Sequence, residues 1–545
     1  MLPILILIVL ALIAIIVGAV PIAVVLAALI GTACASISSP SSTMATTGGA
    51  RSAEGSAKPA KSANPTDSNT NFIVLPTQLF EDIELASSYD TIYVVEDPVY
   101  FTRLPFHQLK LVFHRTTLKY YNDYLVENTK SKVIYVEFPN VDKLYDTLPN
   151  ATLYDPVDKI TKAKLDKIPN IHYIETPYFL TPMSELAEYK KTIKSYRHDS
   201  SFYRWQRRRL NVLMNRDKPK NDQWTYDEDN RNPFPDEQKE PTDFEIKSNK
   251  YIEEAKEYVK KHFSKNYGDP ANMVYPVTHK DAKQHLKKFI EDRFKLFGKY
   301  QDGAHTDITF GYHSVMSSSI NVGLITPREV LDEVLDAKNI PMASKEGFIR
   351  QLIGWREYCR LIYEFEGEKM RKLNYFNAKR KLTPSWWEGT TGLSPIDTII
   401  KRVNKYSYAH HIERLMYLSS VMLMCGIDPN EVYEWFIGFV SIDAYDWVMV
   451  PNIYGMGSYA DGGIMMTRPY FSSSAYVEKM SNLIEKDSDA DIFDCLYYNF
   501  IAKNKERLRK NYYTARSIGH YDRKTAKEKE HFKEIADAFI KKNTL

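Results

Sequence analysis

Residues 72–80 read FIVLPTQLF, a buried-strand pattern followed by a turn, and order begins abruptly just before them. Similar short apolar runs follow at 91–97 (TIYVVED), 132–138 (KVIYVEF) and 170–176 (NIHYIET), with helical spacing over about 109–126. Strands that alternate with helices predict a parallel sheet with right-handed crossovers. We therefore expect the first part of the chain to be a doubly wound α/β domain.

The second half of the chain has a different pattern. From about residue 242 onwards apolar residues recur at three- and four-residue spacing, and strand signals nearly disappear. No Gly-x-Gly-x-x-Gly follows the first predicted strand, so a Rossmann dinucleotide site is not indicated. The predicted fold class is α/β followed by all-α. The segments with helical spacing are 252–263, 281–297, 327–338, 345–364, 409–424 and 429–439.

The chain begins with a long apolar run. Residues 1–30 carry no charge, and the first charged residue is Arg51. Roughly 20 apolar residues suffice to cross a bilayer, so one interpretation is a membrane anchor. The other is that translation starts at Met44 and gives a soluble protein, which leaves the localisation open.

These patterns predict six parts of the chain. The α/β domain and the large helical domain are joined by a polar, Arg- and Trp-rich connector, and a basic tail follows them. A Ser/Thr/Ala/Gly-rich linker without hydrophobic period precedes them and is expected to be disordered. The predicted bounds are 1–35 for the leader, 36–70 for the linker, 71–195, 196–241 and 242–502 for α/β domain, connector and helical domain, and 503–545 for the tail.

Charge and cysteine content exclude some classes of protein. Lys and Arg number 72 against 69 Asp and Glu, a formal net charge of +3. A polyanion must therefore bind to a local basic surface. The four cysteines, at 34, 359, 425 and 495, include no Cys-x-x-Cys pair, so neither a disulfide scaffold nor a zinc finger is supported.

Three motifs in the helical half indicate a ligand site. HSVMSSSINVGLITPREV (313–330) places three consecutive hydroxyls before a short helical turn, an arrangement that suits a phosphate but is also common in helix caps. YAHHIERLMYLSS (408–420) places two adjacent histidines one turn before an arginine. The Gly-, Asp- and Tyr-rich segment 441–482 has no clear period, which is typical of a binding loop.

Taken in order, these segments resemble the deoxyribodipyrimidine photolyase-related branch of the photolyase/cryptochrome superfamily, also called prokaryotic (6-4) photolyases. The similarity covers about residues 71–500. The stretches that carry it include FYRWQRRR (202–209), FGKYQD (297–302), GWREY (354–358), SWWEGTTG (385–392), YAHHIERLM (408–416), GIDPNEVYEW (426–435) and IDAYDW (442–447).

The resemblance implies a flavoprotein that binds FAD in the helical domain and repairs UV-induced pyrimidine photoproducts in DNA with blue light, the (6-4) lesion being favoured. It implies UV-damaged DNA as the partner and a monomeric state. The alternative is a cryptochrome-like blue-light photoreceptor without repair activity. A third possibility is a membrane-tethered flavoprotein with a binding role only.

The resemblance also assigns roles to residues of this chain. It places catalytic and lesion-facing groups at His410, His411, Tyr470 and Tyr476, with His411 as donor of a proton or hydrogen bond. It places the electron-transfer aromatics at Trp387 and Trp435. The residues implied at the FAD or its supporting ion pairs are Ser317, Ser318, Ser319, Asn321, Arg356, Arg414, Asp443 and Asp461.

Two further cofactors follow from the resemblance. The α/β domain would act as an antenna domain that holds a ribityllumazine-type chromophore. The family's [4Fe–4S] cluster needs four cysteines, but Pro395 stands at one ligand position and only Cys495 matches another. We therefore predict that no cluster and no other metal binds. Met449 stands where many relatives carry an acidic side chain near the flavin.

Overall fold

The sheet is built around its first strand, which is buried along its whole length. The computed structural model describes residues 70–241, 244 and 246–545. Five parallel strands lie in the order β3-β2-β1-β4-β5. They are β1 Asn71–Val74, β2 Thr91–Val95, β3 Lys132–Val136, β4 Ala151–Tyr154 and β5 Ile171–Ile174. The predicted parallel α/β layer is confirmed.

Strand β4 was missing from the prediction. Its pairing with β1 and β5 identifies the residues ATLY as a strand.

Helices cover both faces of the sheet, as expected for a parallel sheet. One face packs Ile73 and Leu153 against Val141 and Leu165 in a small apolar core, and the other face joins the core of the helical half. The helices of this part are α1 Pro98–Phe101, α2 Gln108–Asn128, α3 Phe138–Thr147, α4 Lys159–Leu165 and α5 Met183–Thr192.

In the remainder of the described chain the regular elements are helices, apart from a hairpin of two short strands, β6 Met214–Asn215 and β7 Lys218–Pro219. Its helices are α6 Arg204–Leu210, α7 Lys250–His262, α8 His279–Asp292, α9 Phe294–Tyr300, α10 Ser317–Val322, α11 Pro327–Asp336, α12 Met342–Ile349, α13 Arg356–Met370, α14 Ser385–Glu388, α15 Ser394–Tyr406, α16 Ser420–Cys425, α17 Pro429–Trp435, α18 Asp446–Val450, α19 Ser474–Met480, α20 Asp487–Leu508, α21 Ala515–Asp522 and α22 Ala526–Asn543.

Short segments of other helix types interrupt this pattern. The π-helical segments are His198–Tyr203, Arg350–Trp355, Glu413–Ser419, Phe436–Val440 and Pro451–Gly457. The 3₁₀ turns are Ala86–Ser88, Lys220–Asp222, Asp227–Asn230 and Tyr512–Thr514.

Helix α10 ends where the helical half touches the sheet layer. Gly323 adopts a left-handed φ of 88°, and a β-carbon there would lie 2.9 Å from the backbone nitrogen of Leu79. The Leu79 N–H donates to the carbonyl of Val322 over 2.9 Å. Glycine is therefore required at this position both for conformation and for close approach.

Helix α2 joins the two halves through a buried lysine. The Lys110 ammonium group donates to the carbonyls of Ile437 at 3.0 Å and Ala444 at 2.5 Å. These carbonyls belong to the segment that forms one wall of the site described below.

Several predictions concern residues outside the described ranges. The leader and nearly all of the linker lie there. The predicted transmembrane segment is corrected, because no helix in the described ranges is long and apolar enough to cross a membrane. The apolar run 1–30 on which that prediction was based is itself not among the described residues. The predicted domain boundaries at 195, 241 and 502 stay predictions.

Candidate functional site

A cavity of about 270 Å³ lies among the helices of the second half. Four of the five π-helical segments contribute side chains to its wall, through Gln351 and Trp355, Arg414 and Ser419, Phe436, and Asn452 and Met456. Segments of π-helix are often found at functional sites because the wider turn redirects side chains. The backbone itself therefore marks this cavity as the candidate site.

One wall of the cavity is polar. The Arg414 guanidinium donates from Nη2 to Asp443 Oδ1 at 3.1 Å and to the Ser441 hydroxyl at 2.7 Å. The Ser441 hydroxyl in turn donates to the same carboxylate. Ser317, Arg414 and Asp443 all line the cavity, so the structure brings together three of the eight residues predicted to bind the cofactor.

The carboxyl group of Asp443 is held in its charged form. Burial alone would raise its pKa, but the Arg414 guanidinium and hydrogen bonds from Ser317 and Ser441 lower the pKa below its usual value. The wall therefore presents a paired cation and anion together with two hydroxyls.

The other hydroxyls of the predicted phosphate motif point away from the cavity. Ser318 donates to the carbonyl of Val315 at 3.3 Å, and the Ser319 hydroxyl is buried without a hydrogen-bond partner in the described structure. Asn321 donates to the backbone carbonyl of Asp443 at 3.0 Å. These residues thus support the polar wall from behind.

Arg356 also lies behind the wall. It donates to Asn321 Oδ1 at 3.3 Å and to the carbonyl of Tyr178 at 2.7 Å. Its guanidinium packs 4.3 Å from the ring centroid of Phe179 and 4.9 Å from that of Trp447. Burial in this aromatic cage lowers its pKa from the ordinary value.

Asp461, predicted near the cofactor, organises a loop. Its carboxylate accepts the backbone N–H groups of Gly463 at 2.9 Å and Met465 at 2.8 Å. Burial raises its pKa to about 6. Asp461 is not among the residues that line the cavity.

Three histidines meet at the cavity. The ring of His410 stacks on that of His313, with centroids 4.9 Å apart and planes 18° apart. The His410 backbone N–H donates to the Glu413 carboxylate at 3.1 Å, and its Nδ1 is buried without a hydrogen-bond partner in the described structure. His411 faces the cavity itself and lies edge-on to Trp355 at 6.1 Å.

The side chain of His411 combines accessibility with a low-dielectric setting. It is exposed to the cavity space, yet the other lining residues pack closely around it. This enclosure disfavours the imidazolium form, and the Arg414 guanidinium adds to the effect. The pKa of His411 is lowered to about 4, so the ring is neutral at pH 7.

The two predicted lesion-facing tyrosines lie apart from the cavity lining. Tyr476 is partly buried, and its pKa is raised by burial and by the carboxylate of Asp302, which does line the cavity. Tyr470 is half-buried and has the guanidinium of Arg468 5.2 Å from its ring centroid.

The predicted electron-transfer aromatics belong to a connected set of rings. Trp435 packs against Phe436, a cavity residue, at 5.1 Å, and against Trp386 at 6.3 Å. Trp387 stacks on Tyr267 at 5.9 Å. Phe439 connects the two groups, since its ring lies 5.6 Å from that of Trp435 and 6.2 Å from that of Tyr267, while Trp386 is the buried neighbour of Trp387.

Comparison with known proteins identifies the family. A family model described as deoxyribodipyrimidine photo-lyase-related protein matches residues 72–275. The (6-4) photolyase of Agrobacterium fabrum is 34% identical over 353 residues, which cover 63% of this chain and 69% of that protein. The chain belongs to the photolyase/cryptochrome superfamily.

Two solved structures of the photolyase/cryptochrome superfamily share the fold. A class III photolyase from Agrobacterium tumefaciens superposes with a TM-score of 0.50 at 15% identity, over 89% of this chain and 100% of that one. A cryptochrome from Synechocystis superposes with a TM-score of 0.52 at 14% identity, over 87% and 98% of the two chains. At such identities the likeness concerns the fold alone.

The cysteines in the described ranges bear on the prediction that no iron–sulfur cluster binds. Cys359, Cys425 and Cys495 are buried thiols in three different helices, α13, α16 and α20. Pro395 occupies the first turn of α15, where the neighbouring Ser394 N–H donates to Asp489 at 3.2 Å. The donor set in the described ranges does not supply the four thiolates of a [4Fe–4S] cluster.

Some cavity residues were not predicted as site residues. His313 opens the hydroxyl motif, and its adjacency to that motif was the available signal. Trp355 lies in the GWREY stretch, of which only Arg356 was predicted as a site residue. Asp302 and Asn452 carry no sequence pattern that separates them from other polar residues, and only the fold brings them to the cavity.

Proposed function

We propose that this chain is a FAD-dependent, blue-light-driven enzyme that repairs UV-induced pyrimidine photoproducts in DNA, with the (6-4) lesion as its substrate. Homology to photolyases supports a photolyase-type lyase, and the (6-4) assignment follows the Agrobacterium fabrum relative. The observation that carries the proposal is a cavity-facing His411 beside the Arg414–Asp443 pair.

The residues around the cavity fit a flavin. A flat ring system requires apolar walls, which Phe297, Phe348 and Met449 supply, and a polar edge, which Arg414 and Asp443 supply. The unpartnered buried Nδ1 of His410 offers a further polar atom close to this lining. Ser317, Arg414 and Asp443 would contact the cofactor, and Ser318, Ser319, Asn321 and Arg356 would support those contacts.

When bound, reduced FAD supplies the light-driven electron for breaking the lesion's bonds. The protein's part is to hold the cofactor and the flipped-out nucleotide in one enclosed space and to exclude water. The apolar walls lower the local dielectric and strengthen the Arg414–Asp443 interaction.

His411 is placed to act on the lesion. Because its ring is neutral at pH 7, one nitrogen donates a hydrogen bond while the other accepts one. Developing negative charge on the lesion would raise the pKa of His411 and favour proton transfer. His410, stacked on His313 and bonded to Glu413, would fix the backbone from which His411 projects.

The aromatic residues have two proposed roles. Tyr470 and Tyr476 would contact the lesion or its flanking nucleotides. Trp435, Trp386 and Trp387 would carry electrons from the surface to the cavity and so restore the reduced cofactor in the light. The α/β part would hold a ribityllumazine-type antenna chromophore, and a groove of about 540 Å³ beside β4, lined in part by Phe80, Tyr154 and Thr176, provides space for one.

The test uses oligonucleotides that carry a single defined lesion, either a (6-4) photoproduct or a cyclobutane dimer. Purified protein is illuminated with blue light or kept dark, and restored thymines are measured by chromatography. We expect light-dependent repair of the (6-4) substrate, lost in His411→Ala while flavin absorbance is kept. The exposed His520 provides the matched control, since H520A is expected to repair normally. A protein without flavin absorbance, or with flavin but no repair of either lesion, contradicts the proposal.

A further inference from the structure

A second concave site lies outside the cavity. A groove of about 490 Å³ lies between the end of α20, the loop 459–469 and Arg197. We name it the tail groove, since residues 507–513 of the basic tail form one side of it. Its lining comprises Arg197, Tyr375, Phe376, Tyr459, Gly462, Gly463, Thr467, Pro469, Arg507, Leu508, Lys510, Asn511, Tyr512 and Tyr513.

All charged side chains that line the tail groove are positive. Arg197, Arg507 and Lys510 are exposed, and the lining includes no aspartate or glutamate. None of the three cations forms a salt bridge with a carboxylate among the described residues. In a chain with a net charge of only +3, this concentration of cations is a local basic surface of the kind that binds phosphates.

Two tyrosines on the rim are unusually exposed. Tyr512 is 89% exposed and Tyr513 is 57% exposed, and their ring centroids are 5.7 Å apart. The side chain of Asn511 accepts the Tyr513 backbone N–H at 3.0 Å and donates to the carbonyl of Thr467 at 2.6 Å. The turn that presents both rings is therefore tied to the opposite wall of the groove.

At the floor of the tail groove, the loop 459–469 packs closely against the ring of Tyr375. A β-carbon at Gly462 would lie 2.7 Å from the ring of Tyr375, and both Gly462 and Gly463 have positive φ. The Tyr375 hydroxyl donates to the carbonyl of Arg507 at 3.2 Å. Asp461, which accepts the N–H of Gly463, holds this loop in place.

Two segments of the chain connect residues of the tail groove with residues at the cavity. Arg197 precedes His198, whose ring lies 5.2 Å from that of Trp355 in the cavity wall. The same loop 459–469 leads directly into Tyr470, one of the proposed lesion contacts. Two segments of the groove therefore lead along the chain to the cavity wall and to a proposed lesion contact.

We propose that the tail groove binds a nucleic-acid strand beside the damaged nucleotide, with phosphates on Arg197, Arg507 and Lys510 and an unpaired base stacked on Tyr512 or Tyr513. Aromatic rings next to cations are the combination that binds single strands. An anionic membrane fits less well, because the cations lie in a concavity that a flat bilayer surface does not enter. The inference rests on the proposed function only in taking DNA as the substrate.

The test measures binding of undamaged, fluorescein-labelled DNA to the full chain by fluorescence anisotropy in the dark. The probes are a single strand and the blunt duplex of the same sequence. Y512S/Y513S is expected to weaken single-strand binding roughly tenfold, since stacking on one base contributes about 1–3 kcal/mol. R507Q/K510Q is expected to lower the slope of log affinity against log salt by about 1.4.

The matched control is K527Q/K533Q, which removes two exposed charges from helix α22 outside the groove and is expected to leave the affinity within about twofold. Unchanged single-strand affinity in both groove variants overturns the inference. Binding to phosphatidylserine vesicles is measured alongside. If the groove variants lose vesicle binding but keep DNA binding, the inference is also overturned and the groove is assigned to membranes. Light-dependent repair is measured separately at saturating DNA, so failure of the repair proposal leaves the binding result interpretable.

Discussion

Arg414 and Asp443 form an ion pair in the wall of the cavity, with 3.1 Å between Nη2 and Oδ1. The pair joins a π-helical segment to the turn that Lys110 holds from the other side, through the carbonyl of Ala444. These two contacts together connect the α/β layer with the cavity wall and the proposed cofactor site.

Asp443→Asn is expected to destabilise the fold by about 3 kcal/mol, because it leaves the largely buried Arg414 without its counter-charge. Flavin absorbance per mole of protein should fall with it. Urea unfolding and absorbance spectra measure the two effects. The control is Asp332→Asn, which removes the exposed pair between Arg328 and Asp332 and should cost well under about 1 kcal/mol. Equal effects of the two substitutions would contradict the assigned role.

The pKa of His411 predicts a pH dependence of stability. Its folded-state pKa of about 4 lies below the ordinary 6.5, so protonation favours the unfolded state. The stability that the neutral ring provides is complete above pH 6.5 and is lost as the pH falls towards 4. Urea unfolding between pH 4 and 7 should show a smaller loss in H411N than in the wild type. The exposed-site variant H520N should follow the wild type, and a wild-type slope in H411N would refute the assignment.

Much of this fold could be predicted, because its signals are local. Short apolar runs predicted four of the five strands. The hydroxyls beside a helix and the histidine pair pointed to Ser317 and His411, both of which line the cavity. The π-helical segments could not be predicted, since they arise from tertiary packing. The loop contacts of Asp461 could not be predicted either, because a buried carboxylate that caps a loop and one that faces a ligand have the same sequence signal.

Trp435→Phe is expected to slow photoreduction of bound flavin at least tenfold while flavin content stays unchanged. Trp435 is buried between the cavity residue Phe436 and Trp386, and phenylalanine keeps the packing but is much harder to oxidise. The measurement follows flavin absorbance under blue light with an external reductant. Trp224→Phe, near the Arg207 and Arg208 guanidinium groups and away from this path, is the control. Normal photoreduction in W435F would show that electrons take another route.

Asp461 predicts a pH effect of opposite sign to that of His411. Burial raises its pKa to about 6, so the folded state retains its proton where the unfolded chain has lost it. The wild type should therefore lose stability as the pH rises from about 4 to about 6. Asp461→Asn keeps an oxygen that accepts the Gly463 N–H but does not titrate, so its stability should lack this decline. Urea unfolding at pH 4.5 and pH 7 measures the difference, and parallel curves for the two proteins would exclude Asp461 as the titrating group.

The remaining prediction concerns iron. Four thiolates hold a [4Fe–4S] cluster, whereas Pro395 takes one ligand position and Cys495 is a buried thiol whose pKa is raised to about 12 by burial and by Asp491. Protein purified without oxygen should contain far less than four iron atoms per chain and show no broad cluster absorbance. C495S should then keep its flavin content and repair activity, because the thiol carries no cluster. Stoichiometric iron in the wild type that is lost in C495S would overturn the prediction and require ligands other than cysteine.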